Sequence, residues 1–289
     1  MGSENSKTCV GIGLALLLGV VFAWAGSYRG VFFAGIPVFA MGVVLAFLIQ
    51  WIAFVPAILK RTEKFFDLVG SITYIFITLL SLALVPKTDL RSCLLAAMVC
   101  FWAGRLGSFL FGRIHKVGRD KRFDKLKNSF VRFLGAWTLQ GLWVTFTLAA
   151  ALAGITSVKR EPIGVLTMFG TLIWLFGFLL EIIADHQKST FKKDPENRDN
   201  FIQSGLWSIS RHPNYLGEII LWVGVSMVAI PVLQGWQWAM LSSPLFVVLL
   251  LMRVSGIPLL EKKADEKWGG RSDYESYKKN TAVLVPKIW

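Results

Sequence analysis

Residues 205 to 218, Gly-Leu-Trp-Ser-Ile-Ser-Arg-His-Pro-Asn-Tyr-Leu-Gly-Glu, bring together the side chains best suited to chemistry. Arg211, His212, Asn214, Tyr215 and Glu218 fall where a polar loop runs into an apolar stretch. Ionisable groups at such a depth are costly to hold and mark a functional position by default. Pro213 suits the first turn of a helix, which puts the amides of Asn214 and Tyr215 among the donors of that N-terminus. Such an end attracts anions. With Arg211 just before it, the stretch reads as a cradle for a phosphate-bearing cofactor at a membrane surface. Anchoring of the helix to lipid headgroups is the simpler reading these residues leave open.

Two helical stripes extend this group. Glu181, Asp185 and Lys188 stand at i, i+4 and i+7, with Trp174 and Phe178 continuing the stripe inward. They read either as a wall of a polar pocket or as carboxylates paired internally with Lys188 or Arg105. Tyr215, Glu218 and Trp222 share a second face, and Glu218 lies about one turn inside the apolar run. Arg105, Arg211 or a cofactor amide is its expected partner.

The elements that must hold these residues are membrane spans. Hydrophobic residues make up 54% of the chain and charged residues 17%, and the mean hydropathy is +0.56. This predicts an all-α, polytopic membrane helical bundle. Apolar runs at about 9–25, 31–58, 67–85, 91–111, 133–154, 163–184, 215–233 and 237–257 predict about eight spans, followed by a polar tail from Pro258. The whole reads as a single integral-membrane domain, with spans in 1–160 and a second region in 161–289.

The net charge of +13 follows the loops. With eight spans, 24 of the 31 Lys and Arg lie on one side and 5 on the other, which predicts both termini in the cytosol. The densest loop carries Arg113, Lys116, Arg119, Lys121, Arg122, Lys125, Lys127 and Arg132. It reads first as a topological determinant, with anionic lipid or a cofactor phosphate as its alternative ligands. No nucleic-acid partner is implied. Cys9, Cys93 and Cys100 lack metal-ligand spacing, His115, His186 and His212 are scattered, and no metal is expected. No Rossmann fingerprint and no Gly-x-Ser-x-Gly elbow occurs, so a nucleotide must be held by loops and helix ends. Gly2 and Ser6 satisfy the short myristoylation pattern. A pocket rich in Arg, Lys, Asn, Tyr, Trp and carboxylate, open to lipid, suits a lipid-like small-molecule substrate meeting a soluble cofactor.

Ala184-Asp185-His186-Gln187-Lys188, then Phe191, Asn197, Phe201, Ser204-Gly205-Leu206-Trp207, Ser210-Arg211-His212-Pro213-Asn214-Tyr215 and Gly217-Glu218 resemble the signature of a membrane family. It is the DUF1295 group, within the steroid 5-alpha-reductase and sterol C14/C7 reductase superfamily. Glu261, Asp265, Lys267, Trp268, Gly269, Tyr274, Tyr277 and Leu284-Val285-Pro286 are similar to that superfamily's tail. Phe66-Asp67-Leu68-x-Gly-Ser and Arg105 through Arg122-Phe123-Asp124 are similar to DUF1295 features. The resemblance implies NADPH-dependent reduction of an activated carbon–carbon double bond. It carries cofactor contacts onto Asp185, Gln187, Lys188, Arg198, Trp207, Arg211, His212, Asn214, Tyr215 and Glu218. Glu261 and Asp265 then fall near the adenosine ribose or a structural arginine. Tyr74, Tyr215 and His212 are the candidate proton donors.

One departure bears on the substrate. Steroid 5-alpha-reductases grip a keto group with a glutamate of an early helix and a tyrosine, whereas residues 31 to 59 here contain no Asp or Glu. Another enone, a sterol or a fatty-chain lipid fits as well as a 3-oxo-steroid. Isoprenylcysteine carboxyl methyltransferases, which use S-adenosylmethionine, also resemble the Arg-His-Pro-x-Tyr region and tail. Asp-x-Gln-Lys, Asn214 and Gly217-Glu218 favour reduction. A non-catalytic lipid-binding protein of the same fold is the third reading. The expected location is the endoplasmic reticulum in a eukaryote or the inner membrane in a bacterium.

Overall fold

The computed structural model describes residues 2–286, without the side chains of 2, 3, 117 and 121. A lipid on Gly2 and the part played by Lys121 therefore lie outside the described residues. The elements are α1 Gly2–Gly26, β1 Phe32–Phe33, β2 Ile36–Pro37, α2 Val38–Leu59, α3 Phe66–Leu84, α4 Leu90–Val117, α5 Phe130–Thr156, α6 Val165–Lys193, α7 Pro213–Ala229, α8 Ser243–Leu249, α9 Ile257–Trp268 and α10 Ser272–Asn280. Eight helical stretches are long and apolar enough to cross a membrane, the last being Gly235–Trp268. The chain is a multi-pass membrane protein built as a helical bundle.

Four boundaries differ from the hydropathy reading. Residues 32–37 form a hairpin and the second span starts at Val38, because Ala34 and Gly35 take positive φ and Pro37 stands as its N-cap. α4 runs on to Val117, where left-handed Gly118 ends it. α6 continues to Lys193, so the polar residues from 186 are helical. The eighth span is not one α-helix: it passes from a 3₁₀ stretch through α8 and a π turn, Leu250–Val254, to α9.

The chain divides into two compact units. The first comprises Met1–Thr167 and Ser226–Ser243, and the second Met168–Val225 and Pro244–Trp289. In the first unit α5 is the central helix, buried along most of its length. Its small side chains admit close neighbours: a Cβ on Gly141 would meet the Phe47 ring at 2.9 Å, and one on Gly154 would meet Leu95 at 2.7 Å. Polar groups inside this unit bond across helices, as with Gln50 Nε2 donating to Thr73 Oγ1 at 2.8 Å and Trp51 Nε1 to Thr138 Oγ1 at 3.1 Å. Arg91 is fully buried and gathers the carbonyls of Glu161, Pro162 and Val228 with the hydroxyl of Thr167.

The basic loop between α4 and α5 is fastened from within. Buried Glu63 accepts from the Asp120 amide at 2.8 Å and from Lys127 Nζ at 2.6 Å. Phe123 joins a cluster with Phe54, Phe133 and Trp137.

In the second unit, α6 and α7 touch backbone to backbone. A Cβ on Gly177 would sit 2.5 Å from Leu221 N, one on Gly217 2.6 Å from Gly177 O, and one on Gly224 2.6 Å from Gly170 O. Paired glycines seven residues apart on each helix produce this contact, and such close approach drives association where lipid supplies no hydrophobic force. It sets the stripe of Glu181 and Asp185 beside the stripe of Glu218 and Trp222, all four buried.

Candidate functional site

The site is built on the strand-like entry to α7 in the second unit. Gly205 takes φ +61°, and a side chain there would meet Gln187 at 2.7 Å. That conformation lets Gln187 Oε1 accept from the Leu206 amide at 3.0 Å. Trp207 then turns inward, donating from Nε1 to Ala184 O at 3.0 Å, while Lys188 Nζ lies 4.2 Å from its ring centroid. Tyr277 OH donates to Trp207 O at 2.6 Å, joining α10 to the same segment. Burial pushes the Tyr277 hydroxyl up to about 12, so it stays a neutral donor.

The next residues are held by the tail. Ser210 bridges Ala282 in parallel, its hydroxyl donates to Leu284 O at 2.7 Å, and the Arg211 amide donates to Ala282 O at 2.8 Å. Fixed in this way, Arg211 Nη2 reaches Glu261 Oε2 at 3.0 Å and His212 Nε2 reaches Glu261 Oε1 at 2.8 Å. Arg211 Nη1 also donates to Lys278 O at 3.3 Å. The partner of Arg211 is thus Glu261 of α9. Arg211 is one of three partners the sequence offers Glu218 of α7, and the carboxylate it meets here is Glu261.

Burial holds the His212 imidazole below its ordinary range, and Glu261 only partly opposes that. An ionised carboxylate accepts and cannot donate, so the neutral ring carries its proton on Nε2 and presents Nδ1 as an acceptor. The Tyr215 ring stacks on His212, with centroids 5.7 Å apart and planes 11° from parallel. Asn214 Nδ2 donates to Asp185 Oδ1 at 3.2 Å, tying the α7 entry to the α6 stripe. Three polar atoms in this small region are buried without a hydrogen-bond partner: Arg211 Nε, His212 Nδ1 and Asn214 Oδ1. Natural proteins leave few such atoms, and each calls for a ligand, a water or a functional reason.

Farther along α9, Lys267 Nζ donates to Arg198 O at 2.9 Å and Trp268 Nε1 to Asp199 O at 2.8 Å. An open recess of about 530 Å³ lies there, lined by Lys192, Asp194, Pro195, Asn197, Arg198, Asn200, Lys267 and Trp268. Six residues of helix separate Glu261 from Lys267, about 9 Å along the axis. Asp265 stands between them and accepts from Tyr274 OH at 3.1 Å and Lys278 Nζ at 2.7 Å.

The second unit therefore holds Asp185, Gln187, Lys188, Arg198, Trp207, Arg211, His212, Asn214, Tyr215, Glu218, Glu261 and Asp265. Tyr74 belongs to the first unit, where it is buried with its ring edge-on to Trp102 at 5.1 Å. Ser210 and Lys192 are additions from the structure. Ser210 was visible in sequence as a small hydroxyl residue before Arg-His, but its bond to a segment 74 residues away was not. Among the described residues, no three His, Cys, Asp or Glu side chains come together as metal ligands.

Comparison with known proteins shows what the chain is similar to. A family model described as "Protein of unknown function (DUF1295)" matches residues 53–281. The 3-oxo-5-alpha-steroid 4-dehydrogenase 1 of Bos taurus is 26% identical over 117 residues, covering 40% of this chain and 40% of that protein. The Delta(14)-sterol reductase of Arabidopsis thaliana is 29% identical over 96 residues, covering 30% of this chain and 26% of its own length. The probable O-methyltransferase ustE of Ustilaginoidea virens is 28% identical over 120 residues, covering 36% and 42%. In each case less than half of the relative is spanned. No solved structure matches the chain. With most of its length under the family model, the chain belongs to the DUF1295 family.

Proposed function

We propose that the chain is a membrane-embedded, NADPH-dependent reductase of an activated carbon–carbon double bond in a lipid, sterol or enone. In this reading residues 161–289 hold the cofactor, 1–160 face the substrate, and both termini lie in the cytosol. The observation that carries it is the trio of buried, unpartnered atoms beside the Arg211–Glu261–His212 cluster. Arg211 Nε requires an acceptor, whereas His212 Nδ1 and Asn214 Oδ1 require donors. A dinucleotide offers both kinds, in phosphate oxygens and in ribose hydroxyls and carboxamide N–H groups. The recess about 9 Å along α9, with Lys192, Arg198, Lys267 and Trp268, suits a phosphate and an aromatic base. The names of the bovine and plant relatives, a steroid dehydrogenase and a sterol reductase, agree with this class of reaction.

Bound NADPH would supply hydride to one alkene carbon, so the protein must deliver a proton to the other. His212 is poorly suited to that task, since its neutral ring spends its one N–H on Glu261. Its role is to accept a hydrogen bond through Nδ1. A tyrosine hydroxyl is the better donor, Tyr215 at the α7 entry or Tyr74 in the first unit. Asp185 orients Asn214, and Gln187, Lys188 and Trp207 set the position of the loop that carries Arg211 and His212. Without an acidic residue in 31–59, the grip on a 3-oxo group would differ from that of steroid 5-alpha-reductases.

Thermal unfolding of the purified protein tests this. Ligand at about 100 times its Kd stabilises a native state by roughly 2.7 kcal/mol. NADPH is expected to raise the unfolding temperature, with little effect from NADH or S-adenosylmethionine. A shift with S-adenosylmethionine alone would sink the reductase in favour of the methyltransferase reading, which the 28% identical O-methyltransferase supports.

A further inference from the structure

At the end of the first unit opposite the basic loop, the hairpin of β1 and β2 stands out from the bundle. Its base is sewn down: Val31 N donates to Thr156 O at 2.7 Å, Val38 N to Val31 O at 2.9 Å, and Val158 N to Arg29 O at 3.1 Å. Its tip is not. Phe32, Phe33 and Ile36 are 59%, 48% and 52% exposed. Phe33 pairs with Ile36 and Phe32 with Pro37, so the two phenylalanines point to opposite faces, and each keeps about half of its surface exposed.

The turn itself is informative. Ala34 and Gly35 have φ of +49° and +80°, the backbone of a tight hairpin turn that in water favours Asn-Gly or Asp-Gly. Alanine bears the left-handed conformation without a polar side chain to bond its own backbone. A tip reading Phe-Phe-Ala-Gly-Ile has no side chain that gains from water.

The surroundings fix the depth. α1 ends at Gly26, α2 begins at Val38 directly after β2, and α5 ends at Thr156, so three span ends meet at the base. Trp24, Trp236 and Trp238 are exposed at this same end, and the rings of Trp24 and Trp236 lie 5.4 Å apart. Exposed tryptophans at span ends mark the membrane–water interface. The backbone of the turn excludes the hydrocarbon centre, where its open N–H and C=O groups would find no partner.

We propose that this hairpin is a membrane-seated foot: Phe32, Phe33 and Ile36 insert into the interfacial layer of the leaflet at this end, continuous with the tryptophan belt, and set how deep the first unit rides. The occupant of both apolar faces is lipid. This inference is independent of the proposed reductase activity.

Spin labelling of the whole protein in lipid vesicles tests it. The chain has three cysteines, Cys9, Cys93 and Cys100, so serine replacements followed by Phe33→Cys, Ile36→Cys, Leu48→Cys or Lys159→Cys give single label sites. Leu48, exposed on α2, reports lipid, and Lys159, exposed beyond α5, reports water. Labels at 33 and 36 are expected to collide more with oxygen than with a water-soluble nickel chelate, as at 48. Preference for nickel, as at 159, would overturn the proposal. Should the cysteine-free chain fail to fold, a photoreactive phenylalanine analogue at position 33 with native cysteines gives a second reading. Adducts with phospholipid acyl chains support the foot, and adducts with a second copy of the chain overturn it.

Discussion

His212 Nε2 and Glu261 Oε1 meet at 2.8 Å, and this bond joins the entry of α7 to α9 across 49 residues of sequence. The same carboxylate takes Arg211 on its other oxygen. One acidic side chain therefore fixes a tautomer and a guanidinium together, and the buried ring is left with Nδ1 as its single open position.

A pH dependence follows from this burial. The folded-state pKa of His212 is depressed below 6.5, so as pH falls through 6.5 the unfolded chain takes up a proton that the folded chain does not. Stability contributed by neutral His212 is present above pH 6.5 and is lost from there down to the folded pKa. The loss is at most about 1.4 kcal/mol per pH unit. Thermal unfolding from pH 7.5 to 5.5 should show a falling midpoint, and His212→Asn should flatten that fall. An unchanged slope would remove His212 as its source.

Glu63 and Lys127 provide a test in the first unit. Glu63 is 4% exposed and its carboxylate is matched by Lys127 Nζ at 2.6 Å. Breaking a buried pair from one side costs about 3–5 kcal/mol, because the remaining charge loses its counter-ion. Lys127→Met should be strongly destabilising, and adding Glu63→Leu should recover much of the loss. A double-mutant cycle by thermal unfolding measures this, and additive losses would count against it.

The spans were legible because long apolar runs have one dominant solution in a bilayer. The hairpin was hidden for the same reason: Val31, Phe32, Phe33 and Ile36 read as span to any hydropathy argument, and only Gly35 and Pro37 signal a turn. The residue types of the site were legible, and so were the helical stripes of Glu181 with Asp185 and Tyr215 with Glu218. Pairings were not. Arg211 has Glu218 seven residues away and Glu261 fifty away in sequence. Only the tail's parallel run beside Ser210 decides which carboxylate it meets. The cation of Lys188 over Trp207 was equally invisible, since it depends on the inward turn at Gly205.

Arg91 should prove irreplaceable even by lysine. Its guanidinium serves four acceptors from three segments, Thr167 Oγ1, Val228 O, Glu161 O and Pro162 O. A lysine ammonium has three donors in a different geometry and cannot satisfy all four. Each buried acceptor left without a donor costs roughly 1–3 kcal/mol. Arg91→Lys is expected to lower the unfolding midpoint by several degrees and Arg91→Met by more. A midpoint within a degree of wild type for Arg91→Lys would show that the site relaxes around an ammonium.

The glycine contact between α6 and α7 gives the last test, because it separates packing from chemistry. At Gly177 a methyl group would sit 2.5 Å from Leu221 N and 2.6 Å from Gly217 O, both backbone atoms that cannot step aside. Gly177→Ala must push the helices apart, and overpacking of this kind costs typically about 1–3 kcal/mol. Gly104, on α4, has open space where its Cβ would be, and φ there is ordinary helix. Gly104→Ala should be neutral or slightly stabilising, as alanine is the better helix former by about 1 kcal/mol. The two variants make the same chemical change with opposite expected signs. Separating α6 from α7 also moves Asp185 relative to Asn214, whose bond is 3.2 Å. Gly177→Ala should therefore weaken stabilisation by NADPH at a temperature where the variant is still folded, and Gly104→Ala should leave it intact. Equal NADPH shifts in both variants, alongside the expected stability difference, would show that the α6 stripe takes no part in holding the cofactor.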